Sequence, residues 1–173
     1  LAAAECGGVD TVLRQRLDLL WHQRHEPAGD QLFAEVMEIV TEAVLKEIEA
    51  NPEQRNFSVS QNDNDAYCRC ERCEAVNRRE GSPMGAHLAF VNEIADRVKE
   101  VHPGKKIGTL AYWYTRKPPR NIKPRDNVQI QLADIEACRL HPLDHPCPLN
   151  RAFRKAFEGW SEITEQIYIW TYV

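Results

Sequence analysis

Apolar residues recur every three or four positions along three long stretches of the chain and gather in four short runs between turn residues, and this pattern predicts the elements. From Asp30, read as an N-cap, Leu32, Phe33, Val36, Ile39, Val40, Val44 and Ile48 repeat at helical spacing until Asn51 and Pro52 stop them. A second helix is expected from near Ser82 and Pro83, with Leu88, Val91, Ile94, Ala95, Val98 and Val101 as its apolar stripe. A third carries Phe153, Phe157, Trp160 and Ile163. Strands are expected at 57–61, at 106–115 through its aromatic content, at Val128, Ile130 and Leu132, and at 167–172. Leu13, Leu17, Leu20 and Trp21 suggest one more helix before a polar loop. Residues 1–30 are therefore read as a poorly defined N-terminal helix and loop, and 31–173 as the domain proper.

The resulting order, helix, strand, helix, strand, strand, helix, strand, suits parallel strands with crossover helices. This is the α/β class, and the expected architecture is a partial (β/α) TIM-barrel-like fold. Four strands do not close a barrel, which takes eight in about 250 residues. The chain thus reads as about half a barrel, and its expected partner is the missing remainder of the same polypeptide. Left alone, its outer strands would present unpaired edges.

Composition narrows the function classes only a little. The apolar and charged fractions are those of an ordinary globular chain, and the net charge of −4 argues against a nucleic-acid partner. There is no apolar run long enough to span a membrane. Leu1 to Cys6 is apolar but lacks a basic start and the length of a secretory signal, so no signal peptide is read in this chain.

Candidate chemistry collects where strands end. In the stretch FSVSQNDNDAYCRCERC, Asn62, Asp63 and Asn64 follow a strand at once, at the end of the sheet where α/β proteins keep their sites. The bland reading is an Asx turn. Asp134 and Glu136 follow the third strand and form, with Asp63, the candidate acids for glycoside hydrolysis, which uses two carboxyl groups across the scissile bond. Against this, acids beside a loop are usually just solvated. Tyr112, Tyr114 and Trp170 are candidate sugar-stacking rings, with ordinary core as the alternative. The basic turn holding Arg116, Lys117, Arg120, Lys123 and Arg125 would suit an acidic sugar or serve as a solvated connection.

Six cysteines are above average for this length without making a disulfide-dense miniprotein. Cys68, Cys70 and Cys73 include a Cys-x-x-Cys grip, and the loop with Cys138, His141, His145 and Cys147 could complete a structural zinc tetrahedron with them. Disulfides between or within the two loops are the rival reading and would suit an exported protein. A catalytic zinc is not expected, and the catalysis envisaged requires no cofactor.

Taken together, SVSQNDN, YCRCERC, the helix containing FVNEIA, TLAYWYTRKPP, DNVQIQL, CRLHPLDHPC and the final YIWTYV resemble the DUF4838 family, a domain of unknown function, over roughly residues 35–173. The resemblance implies a TIM-barrel-like domain related to glycoside hydrolases, found in bacterial proteins that often carry an α-glucuronidase-like N-terminal domain. It implies a carbohydrate substrate and an exported, periplasmic or extracellular, full-length protein. Where the family tends to read Trp-Asp-Tyr, this chain has Trp170, Thr171 and Tyr172, so that carboxylate is absent here. The expectation carried forward is a domain acting on polysaccharide or oligosaccharide through strand-end carboxylates and stacking aromatics. The alternatives are a non-catalytic carbohydrate-binding domain and a zinc-stabilised interaction domain.

Overall fold

Helix α1 (Gly29–Ala50) lays one face on the rest of the molecule, with Val36, Met37, Val40, Val44 and Ile48 buried. The computed structural model describes residues 29–64 and 67–172, with side chains from residue 34 onward. The helix expected around Leu13, Leu17, Leu20 and Trp21 lies outside the described residues, as do the side chains of Leu32 and Phe33. Strand β1 (Asn56–Ser58) follows α1, and two helices, α2 (Glu71–Glu80) and α3 (Met84–Val101), then lead to β2 (Lys106–Ala111). Ser82 starts α3 by accepting the Met84 N–H at 3.1 Å. The stripe Leu88, Val91, Ile94, Ala95 and Val98 is wholly buried, while Val101 is exposed. Strand β3 (Val128–Ala133), helix α4 (Pro148–Ser161) and strand β4 (Ile167–Trp170) complete the order.

The four strands form one sheet in the order β1-β2-β3-β4, and every pairing is parallel. Parallel pairs need crossovers. Helices supply those between β1 and β2 and between β3 and β4, but residues 112–127 join β2 to β3 with only the 3₁₀ turn Trp113–Thr115. This connection is held down through α2. The Glu80 carboxylate, completely removed from solvent, accepts the backbone N–H groups of Asn121 at 2.7 Å and Ile122 at 3.1 Å. Trp160 of α4 adds a 2.8 Å bond from its indole N–H to the Arg116 carbonyl.

Alternation along the strands gives the sheet two unlike faces. Phe57, Ile107, Ala111, Val128, Ile130 and Leu132 share one apolar cluster with the inner faces of α1 and α3 and with Phe153, Ala156 and Trp160 of α4. The opposite face carries Asn56, Lys106, Gln129, Gln131, Tyr168 and Trp170 around a cavity of about 600 Å³. Gly108 sits beneath these side chains, since a Cβ there would lie 2.9 Å from the Asn56 amide oxygen and 3.1 Å from the Gln131 amide nitrogen. A parallel sheet with helices on one apolar face and a polar second face is an α/β arrangement consistent with a partial (β/α) barrel. Among the described residues the sheet is open, with β1 and β4 as its edges.

Candidate metal centres

Each cysteine cluster lies in a loop that leaves the C-terminal end of a strand and enters a helix. After β1, the Val59 N–H still bonds the Gly108 carbonyl at 2.8 Å, and the chain then turns through Gln61, whose amide reaches the buried Thr115 hydroxyl at 2.8 Å. Farther on, Tyr67 packs on Tyr114 with ring centroids 4.8 Å apart and takes the Arg69 guanidinium over its ring at 4.9 Å. These contacts tie the loop to the turn after β2 and deliver Cys68, Cys70 and Cys73 to the start of α2.

The three sulfurs lie within 4.8 Å of one another. Cys70 is the N-cap of α2 in extended backbone, and Cys73 stands one turn in. The positive end of the helix favours thiolate character there. A hydrogen bond from Cys73 holds the Cys68 thiol well below its ordinary range, at about 5. The same bond, with burial, pushes Cys73 up.

The loop between β3 and α4 repeats this plan. Cys138, His141 and Cys147 bring their ligand atoms within 4.8 Å of one another, with Cys138 Sγ 3.3 Å from His141 Nδ1. Cys147 is the N-cap of α4 in the same extended backbone as Cys70, and Pro148 follows in the first turn. Backbone hydrogen bonding at Leu140, followed by the His141 ring, draws the Cys138 thiol down to about 7. The fully buried Asn150 holds this loop, accepting the Cys138 N–H at 2.8 Å and donating to the Pro142 carbonyl at 2.6 Å. Nothing in the sequence marked Asn150, since an asparagine in the first turn of a helix reads as ordinary helix-start chemistry.

Sequence spacing led to one metal shared by the two loops, whereas the structure holds two separate trios, each closed on itself. All five of these cysteines are free thiols. Thiolate and imidazole donors at this separation match zinc, whose ligands sit at about 2.0–2.3 Å from the metal. Both trios could therefore coordinate a metal.

The remaining predicted site residues do other things. Asp63 hydrogen-bonds the Tyr112 phenol, and desolvation followed by this carboxylate raises the phenol's pKa. The Asn64 N–H donates to the Asn62 carbonyl at 2.9 Å. Asp134 is buried, pairs with Arg139 at 3.3 Å and accepts the Tyr172 N–H at 3.2 Å. Glu136 is ion-paired with Arg116. Arg125 of the basic turn pairs with Asp96 at 2.9 Å, and Lys117 caps the Gly81 carbonyl at 2.8 Å, so these two side chains serve as internal braces.

The expectation of a sugar-acting domain is overturned. Tyr112, Tyr114 and Trp170 were its candidate stacking rings, and among the described residues no sugar-stacking cluster of aromatics is present. Strand β2 stops at Ala111, and Trp113 adopts φ 52°, so strand alternation does not apply to the tyrosines. Tyr112 meets Trp113 edge-on at 6.2 Å, Tyr114 stacks on Tyr67, and Trp170 lines the polar face of the sheet. The groups that do converge are the two metal-ligand trios.

No curated protein and no solved structure matches the chain. One family model matches residues 33–173, that described as Domain of unknown function (DUF4838), which spans α1 to β4 and includes both trios, and the chain belongs to this family.

Proposed function

We propose that this chain is a zinc-stabilised interaction domain, in which two metal ions clamp the loops after β1 and β3 into a fixed rim on the parallel sheet. The observation that carries this reading is the pair of trios, each with three ligand atoms within 4.8 Å. Neither loop has helix or strand among its described residues, and a metal would cross-link each one. Exposed apolar side chains also stand next to the ligands of the second centre. Leu140, between Cys138 and His141, is 90% exposed, and Leu149, just after Cys147, is 60% exposed. Side chains displayed in this way suit contact with another protein.

The polar face and open edges of the sheet support a second reading, that further β/α units complete a larger barrel around this one. Parallel sheets are normally covered on both faces.

The direct test is metal content. Protein purified under reducing conditions is expected to carry two zinc ions per chain, and a strong chelator is expected to lower its thermal midpoint. The Cys70→Ser/Cys73→Ser and Cys138→Ser/Cys147→Ser variants should each lose one ion. Reduced protein that takes up no zinc, with a thermal midpoint indifferent to chelator, would overturn the reading.

A further inference from the structure

We propose that His145 is the fourth ligand of the second centre, which makes it a Cys2His2 site formed by Cys138, His141, His145 and Cys147. This inference rests on the metal-clamp reading above and specifies one of its two sites. A structural zinc is almost always held by four protein ligands, and the trio supplies three, which leaves one corner of the tetrahedron. The His145 ring lies against one of the three ligands. It stacks on His141 with centroids 4.0 Å apart and planes 8° from parallel.

The backbone brings it there. The His145 N–H donates to the Pro142 carbonyl at 2.9 Å, closing a turn that folds the chain back over His141. Asn150 grips the same Pro142 carbonyl at 2.6 Å and the Cys138 N–H at 2.8 Å, so both ends of the turn are fixed to α4. Arg154 adds a 3.2 Å bond to the Asp144 carbonyl.

The scale of the stack also fits. Two imidazole nitrogens on one tetrahedral zinc lie about 3.3 Å apart, given metal–nitrogen distances of about 2.0–2.1 Å. Stacked rings have to fan open so that their lone pairs converge. Because the His145 side chain is exposed, it makes this rotation about its own side-chain torsions without moving the anchored backbone. Asp144 is the rival donor within the loop, but it belongs to the harder oxygen class that thiolate sites for zinc use less.

The experiment uses the full chain with Cys70→Ser and Cys73→Ser, so that only the second centre reports, loaded with cobalt(II) or zinc. X-ray absorption is expected to give two sulfur and two nitrogen neighbours, and the cobalt form should show the intense visible bands of a tetrahedral site. His145→Ala should weaken cobalt binding by at least the roughly 10–100-fold that loss of an outer-shell partner costs. His145→Cys should restore binding with a stronger thiolate charge-transfer band, and Asp144→Asn should leave affinity and spectrum unchanged. One nitrogen neighbour, or a His145→Ala variant with parental affinity and spectrum, would remove His145 from the site while leaving the clamp reading intact. Absence of metal uptake in this background and in the parent chain would remove both. Far-ultraviolet circular dichroism of each variant separates ligand loss from unfolding.

Discussion

Glu80 gives α2 a buried anionic end. Burial works to raise its pKa, but the Asn121 N–H, the Arg79 guanidinium at 3.0 Å and the Ile122 N–H outweigh it and hold the carboxyl at about 2. A carboxyl depressed in this way contributes stability that is complete above its ordinary value near 4.5 and lost as pH falls toward 2. His87, bonded to Thr109 at 2.9 Å and lowered by desolvation to about 4, also favours the fold only while neutral, so its contribution is lost from about 6.5 downward. Urea unfolding as a function of pH should therefore show two acid-side losses. Glu80→Gln should flatten the lower one and cost about 1–3 kcal/mol at neutral pH, because two buried N–H groups lose their charged acceptor. A variant with the parental pH profile would show that the carboxylate does not anchor the 116–125 connection. Glu80 was not legible in the sequence. An acid beside Arg78 and Arg79 at a helix end reads as a solvated charge, and only the returning chain at Asn121 gives it a partner.

At the scale of elements, periodicity located the helices whose buried faces are apolar and failed on the one whose buried face is polar. In α2 the buried side chains are Asn77 and Glu80, so no apolar stripe marks it. The terminal signals were present: Glu71 and Glu74 in the first turn, Arg78 and Arg79 in the last, and Gly81 at φ 66° as the left-handed cap. The expected strand through 115 overran for a related reason. Aromatic content suggests strand, but Thr115, fully buried, has its hydroxyl bonded to the Tyr112 N–H at 3.1 Å and the Leu110 carbonyl at 3.2 Å, which curls the chain into a turn. Element ends also govern the second centre. If both trios hold zinc as proposed, Asn150→Ala should leave binding at the first centre unchanged and weaken the second by roughly 10–100-fold, as loss of an outer-shell partner does. Competition with a chromophoric chelator measures both, and equal affinities at the second centre in variant and parent would count against Asn150 as its anchor.

For the whole molecule, the parallel order of the sheet followed from the alternation of helices and strands, and the polar strand ends do gather on one rim. The chemistry of that rim was less legible, because sequence shows which residues can pair with a ligand but not which already have partners. Asp134, Glu136 and Tyr114 are engaged by Arg139, Arg116 and Tyr67, which lie in other loops or several residues away. Cysteine spacing fared better, since ligands three residues apart on a helix start meet whatever the rest of the chain does. The open edge at β4 has its own outcome. Tyr168 and Trp170 are 52% and 40% exposed on a strand with one free side among the described residues, so the chain should self-associate with rising concentration. Trp170→Lys is expected to reduce that association in sedimentation velocity without changing the helical signal. Association that persists unaltered in the variant would place the contact elsewhere.

Cys70 and Cys147 each occupy the position from which a helix departs. If those sulfurs are spent on a metal, the folding of α2 and α4 is tied to the zinc supply and thiol redox balance around the chain. A newly made chain that meets oxidant first would lose both starting points at once, and one that meets zinc first would have them set before the sheet is finished.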